Sequence, residues 1–117
     1  MKDWYKNPRW EAVRNRALRR DGYMDKVLYR YGKMKQAEVV HHIFPRENFP
    51  QYEYELWNLI SVTRRTHNEL HDRDSHRLSK KGIELLIRTC KKNNISIPDE
   101  LKQKETKPKK ERTGRYY

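Results

Sequence analysis

Two adjacent imidazoles, His41 and His42, close the β-branched run Val39-Val40-His41-His42-Ile43-Phe44-Pro45, where a buried strand would ordinarily carry apolar side chains. Downstream lie Asn58 in Trp57-Asn58-Leu59-Ile60, and His67 and His71 in Thr66-His67-Asn68-Glu69-Leu70-His71. Neutral imidazole binds borderline divalent ions such as Zn, Ni, Co and Mn, and tolerates Mg less well. Its unperturbed pKa of about 6.5 also suits a general base near neutral pH. Phosphodiester hydrolysis needs a base for the attacking water, a metal ion for the developing negative charge, and donors that hold the phosphate. An Asn carbonyl that fixes the tautomer of an imidazole completes the inventory. Histidine, asparagine and histidine in this order supply it.

Spacing constrains how these residues meet. His67 and His71 are four apart, so on a helix they share a face and converge on one ion or phosphate. His41 and His42 are neighbours, and in a regular strand neighbours point to opposite faces. They serve one site only near a strand end or irregularity, or if one takes the metal while the other approaches its water from the side.

The elements that must position these groups are partly legible. Asn7-Pro8 opens a helix over about 9–20, with Trp10, Val13, Ala17 and Leu18 at helical spacing and Arg14, Arg16, Arg19 and Arg20 largely opposite; Gly22 ends it. Residues 24–36 give no firm pattern, although Val27 to Tyr31 suits a strand or a helical turn. Ala37–Ile43 reads as a strand and Pro45–Gln51 as a loop, with Phe49 to Tyr54 packing over it. Asn58–Val62 reads as a second strand, and Thr63 or Ser61 caps a helix from about Arg64 to Asp72. After the polar stretch Asp72 to His76, Ile83, Leu86, Ile87 and Cys90 mark one face of a last helix that ends at Asn93-Asn94. Asp72, Asp74 and His76 read as surface residues.

The 117 residues suffice for one domain, placed at 1–97, followed by a disordered basic tail at 98–117. Residues 101–117 hold seven Lys/Arg against two Glu. The whole chain carries 28 Lys+Arg against 16 Asp+Glu, a net charge of +12 that favours a polyanion such as nucleic acid. A single cysteine, Cys90, excludes an intramolecular disulfide and any cysteine-based zinc site. The first residues lack the apolar stretch of a signal peptide, and no run of about 18 apolar residues suggests a membrane span. A cytoplasmic protein without a membrane partner is the expectation.

The stretches around His41-His42, Asn58 and His67 to His71 together resemble the HNH endonuclease family, and Trp4-Tyr5-Lys6 with Trp10, Arg14 and Arg20-Asp21-Gly22-Tyr23 is similar to the leader helix of small phage-type members. The resemblance covers roughly residues 4–72. It implies an α+β fold with a ββα-metal core, a two-stranded antiparallel hairpin and a helix gripping one divalent ion (Mg, Mn, Ni or Zn), flanked by N- and C-terminal helices. Carried over by position, His42 is the general base, Asn58 orients His42, and His41 and His67 hold the metal, with His71 a further ligand or phosphate contact. The activity implied is metal-dependent DNA hydrolysis, by nicking or double-strand cleavage. A homodimer is compatible with double-strand cutting, and a phage origin brings packaging proteins in as partners. Arg14, Arg16, Arg64, Arg65, Lys109 and Lys110 are the expected contacts to the DNA backbone. Two alternatives stay open: a catalytically silent nucleic-acid-binding module of the same fold, and an RNA-directed basic protein.

Many relatives bind a structural zinc through two Cys-x-x-Cys pairs. The corresponding positions here fall near Asp25 and Leu28 and at Thr63 and Thr66. The resemblance is therefore to a branch without structural zinc, whose core is expected to rest on packing of Trp4, Trp10, Tyr23, Leu28 and Trp57.

Overall fold

The structure, a computed structural model, describes residues 2–75 and 77–101. A 3₁₀ turn (Lys2–Lys6) leads into α1 (Pro8–Arg20), a one-turn α2 (Lys26–Tyr29), strands β1 (Val39–His42) and β2 (Leu59–Val62), α3 (Arg64–Glu69) and α4 (Lys80–Asn93). The strands form an antiparallel hairpin in the register Val39↔Val62, Val40↔Ser61, His41↔Ile60, His42↔Leu59. This is the expected α+β arrangement. Among the described residues no helix is long and apolar enough to cross a membrane.

The α1 helix starts as its sequence dictates, with the Asn7 side chain accepting hydrogen bonds from the Arg9 and Trp10 N–H groups and Pro8 in the first turn. Its buried face, Trp10, Val13 and Ala17, packs with Leu59 into one cluster. At its end the Arg20 guanidinium forks onto the Asp21 carboxylate at 2.8 and 2.9 Å and donates to the Leu56 and Leu59 carbonyls. Asp21 in turn accepts from the Ser61 N–H at 2.9 Å. A bidentate, charge-assisted junction of this kind fixes α1 against the hairpin.

The larger cluster gathers Ile43, Phe44, Val62, Leu70 and Leu78 under Ile83, Leu86, Ile87 and Cys90 of α4. Ser79 caps that helix through Gly82, and Asn94 ends it at φ 57° in the left-handed region. Gly82 lies against the Leu70 carbonyl, so closely that a Cβ would sit 2.2 Å from that oxygen. Phe49 and Tyr52 pack edge-on to Phe44, which is how the expected loop packing is realised. Leu101, inside the segment read as tail, also packs on this core. The rest of the tail, from residue 102 on, lies outside the described residues, as does His76.

The segment without a firm pattern holds the least expected feature. Asp25, fully buried, caps α2 at the Leu28 N–H (2.8 Å) and accepts the Thr63 N–H at 2.7 Å from the start of α3. Burial pushes its carboxyl up, but bonds from the Thr63 and Leu28 N–H groups and the Thr66 and Thr63 hydroxyls outweigh this and leave it below the usual carboxylate range. The positions Asp25, Leu28, Thr63 and Thr66 therefore do converge, through hydrogen bonds to one carboxylate. The expectation that aromatic packing alone does this work needs correction: Tyr23 is half exposed, Trp4 and Trp10 belong to the α1 cluster, and Trp57 packs on the α4 side.

Candidate metal centre and catalytic cleft

In β1 the strand alternation sends His41 and His42 in different directions. His41 is fully buried and faces His67 and His71, with ring centroids 5.3 and 5.2 Å away; His67 and His71 are 4.8 Å apart. One ligand atom from each lies within 4.8 Å of the others, close enough for a single ion to draw them together. Among the described residues neither His41 ring nitrogen has a hydrogen-bond partner. A buried imidazole with both nitrogens unpaired is costly unless something binds one of them. Three imidazole donors, the orphan His41 with His67 and His71, fit a borderline divalent cation.

Protonation states agree with that use. Burial, then the neighbouring His67, His71 and His42, holds His41 well below the usual imidazole range. Burial, then His71 and Arg64, lowers His67. Both are neutral at pH 7, as ligands must be.

His71 reaches the cluster by a route other than the one its spacing suggests. α3 ends at Glu69, with Leu70 as its cap, so His71 is not in a last helical turn; it sits in an isolated bridge opposite Leu78. The Leu70 carbonyl accepts from the Ser79 N–H, which ties this connection to the start of α4.

His42 stacks on Trp10 with centroids 4.9 Å apart and planes 23° from parallel, and Trp4 meets it edge-on at 5.8 Å. Its Nε2 is 3.1 Å from the Glu53 carbonyl oxygen. A carbonyl only accepts, so Nε2 carries the proton and Nδ1 keeps the lone pair. Burial lowers its proton affinity, the Glu53 carbonyl partly restores it, and the charges of Arg46 and His67 lower it further. His41 and His42 thus leave opposite sides of one strand yet line one cleft of about 700 Å³, together with His67, His71, Arg14 and Arg46.

Asn58 does not orient His42. Its Oδ1 accepts the Phe44 N–H at 2.7 Å, and its Nδ2 donates to the Phe44 and Tyr52 carbonyls at 3.2 and 3.1 Å. With its amide spent on backbone and fully buried, Asn58 clamps the loop between the strands. Since Glu53, which does hold His42, lies in that loop, Asn58 acts on the imidazole only through the chain.

The expected backbone-contact residues separate. Arg14 lines the cleft, whereas Arg16 is exposed away from its lining. Arg64 is exposed and close enough to bear on His67. Arg65 lines a different cleft and pairs with Glu69 at 3.8 Å, so it does not flank the histidines. Lys109 and Lys110 lie outside the described residues. The sequence reading missed Arg46, whose guanidinium lies 4.2 Å over the Trp4 ring in the same cleft. Its place directly after His41-His42-Ile43-Phe44-Pro45 was the available signal.

No family model and no curated protein sequence matches the chain. Among solved structures, the manganese-bound HNH endonuclease of the deep-sea thermophilic bacteriophage GVE2 is similar, with TM-score 0.55 and 27% identity over 57% of this chain and 73% of that one. The chain is HNH-like in fold. With the histidine cluster, this agrees with the family resemblance read from residues 4–72. In this HNH-like chain the hairpin and α3 present His41 and His67 to a common point, and the connection to α4 adds His71.

Proposed function

We propose that this protein is a metal-dependent endonuclease that hydrolyses phosphodiester bonds of DNA. One observation carries the reading: His41, buried with both nitrogens unpaired, faces His67 and His71 in the cleft that His42 also lines. His41, His67 and His71 would hold one divalent cation, which supplies Lewis acidity to the phosphate and the leaving 3′-oxygen. The likeness to a manganese-bound phage endonuclease supports that assignment, and so does the all-imidazole donor set.

His42 is then the general base. Its Nε2–H is held by the Glu53 carbonyl and its ring by Trp10, so Nδ1 takes a proton from the water that attacks phosphorus. Because His42 is neutral near pH 7, it starts in the state the step requires. Asn58 keeps the loop that carries Glu53 in register. Arg14 and Arg64 contribute cationic contacts to the strand, and the net charge of +12 gathers the polyanion.

Nicking of supercoiled plasmid with Mg²⁺, Mn²⁺ or Ni²⁺, compared between wild type and His42→Ala, tests this. Metal-dependent nicking lost in the variant supports the reading. DNA binding without nicking under any metal establishes the silent-module alternative, and cleavage confined to structured RNA establishes the RNA alternative.

A further inference from the structure

Among the described residues Arg46 is a cation whose one ion pair, with Glu53, is long. Its side chain keeps 23% of its exposure, its Nε is buried without a partner, and the nearest carboxylate oxygen, Glu53 Oε1, is 3.9 Å from Nη1. That distance exceeds a hydrogen bond. Stacking accounts for its position: the guanidinium lies 4.2 Å over Trp4 and 5.6 Å from the Tyr5 ring centroid. Trp4 is itself fixed by a near-parallel stack on Tyr54 at 5.6 Å and by Trp10 at 5.0 Å. An aromatic floor thus presents a part-buried guanidinium in the cleft, close enough to bear on His42.

A buried guanidinium N–H is ordinarily satisfied by a close partner. The flat fork of a guanidinium matches two oxygens of a phosphate, and the stack sets its plane in advance. We propose that Arg46 is the phosphate-positioning residue of the cleft, donating to the non-bridging oxygens of the scissile phosphodiester while His42 serves the attacking water. This rests on the nuclease reading above. It assigns the first 3₁₀ turn a part in the site, because Trp4 and Tyr5 belong to that turn.

The test compares Arg46→Ala, Arg46→Gln and Arg46→Lys with wild type in Mn²⁺-dependent cleavage of plasmid and of a duplex oligonucleotide, alongside Mn²⁺ affinity and thermal stability. The proposal expects kcat to fall about 10²–10³-fold in the Ala and Gln variants, the size of one lost transition-state donor. KM should change less than about threefold, because the many other contacts to the strand remain. Lys, which keeps charge but not the fork, should recover only part of the rate. Mn²⁺ affinity and melting temperature should stay at wild-type values. Cleavage by Ala and Gln variants within about threefold of wild type overturns the proposal and leaves the nuclease reading intact. Rate loss that follows lost Mn²⁺ affinity or lost stability in both variants also overturns it, by showing a structural role. Wild type that cleaves nothing under any metal removes both.

Discussion

The His42 imidazole lies on the Trp10 indole, 4.9 Å between centroids and 23° from parallel, while its Nε2 donates to the Glu53 carbonyl. Ring plane and tautomer are thus fixed by two different elements, α1 and the loop between the strands. A base held on its face and at Nε2 needs no rearrangement before Nδ1 accepts a proton.

His42→Ala should lower the cleavage rate by about 10²–10⁴-fold, the usual worth of a positioned general base. Cation affinity should be unchanged, because His42 is not among the clustered imidazoles His41, His67 and His71. Titration calorimetry with Mn²⁺ or Ni²⁺ beside a nicking assay checks both halves. Joint loss of cation binding and cleavage would reassign His42 to the metal set.

Cation binding should stabilise the fold. At a hundredfold excess over Kd, mass action contributes about 2.7 kcal/mol, a rise of roughly 10 °C in melting temperature for a domain of this size. Chelator should reverse the rise, and His67→Ala should abolish it. Because His41 and His67 are held below the ordinary imidazole range, both stay neutral to lower pH than a free histidine, and binding should persist somewhat below pH 6.5 before protons displace the ion. A melting temperature indifferent to Mn²⁺, Ni²⁺ and Zn²⁺ would count against the centre.

Asn58→Ala strips the Phe44 N–H of its partner inside the protein, and an unsatisfied buried donor costs about 1–3 kcal/mol. The variant should melt earlier and lose activity as its loop loosens, with cation affinity retained. Were Asn58 instead a direct partner of the imidazole, the rate would fall with stability unchanged. Chemical denaturation with the nicking assay distinguishes the two.

Asp25 predicts an acid-sensitive fold. Its folded carboxyl sits below its unfolded pKa, so it contributes stability that is present above the unfolded value of about 3.9 and lost as pH falls through the folded one. Asp25→Asn, which turns a donor toward the Thr63 N–H or the Leu28 N–H, should cost about 1–3 kcal/mol at pH 7. The gap from wild type should close as the pH falls through the folded pKa. Denaturant midpoints across pH measure it, and a gap constant with pH would exclude an ionic role.

Gly82→Ala would place a Cβ 2.2 Å from the Leu70 carbonyl oxygen, a backbone atom that cannot swing aside. The α3–α4 junction must open, at a cost of about 1–3 kcal/mol or more. His71 follows Leu70 directly, so weakened cation affinity should accompany the lower melting temperature.

The local elements were largely open to reading because each carries its own signals. Asn7-Pro8 starts α1, and the apolar spacing of Ile83, Leu86, Ile87 and Cys90 gives the face of α4 that is buried. Asp25 escaped, since a carboxylate that caps one short helix and reaches residue 63 has no local pattern. Arg46 escaped for the same reason: its value comes from Trp4, far away in the chain.

The sequence by itself determined the donor types, their order along the chain and the strand that carries two of them, because side-chain chemistry and strand alternation are local. Only the tertiary structure decided that the neighbours divide, His41 toward α3 and His42 toward α1, and still line one cleft. It also placed His71 beyond the end of α3 and turned Asn58 onto the loop backbone. These outcomes depend on which surfaces pack against each face of the hairpin, a property of contacts between segments far apart in sequence.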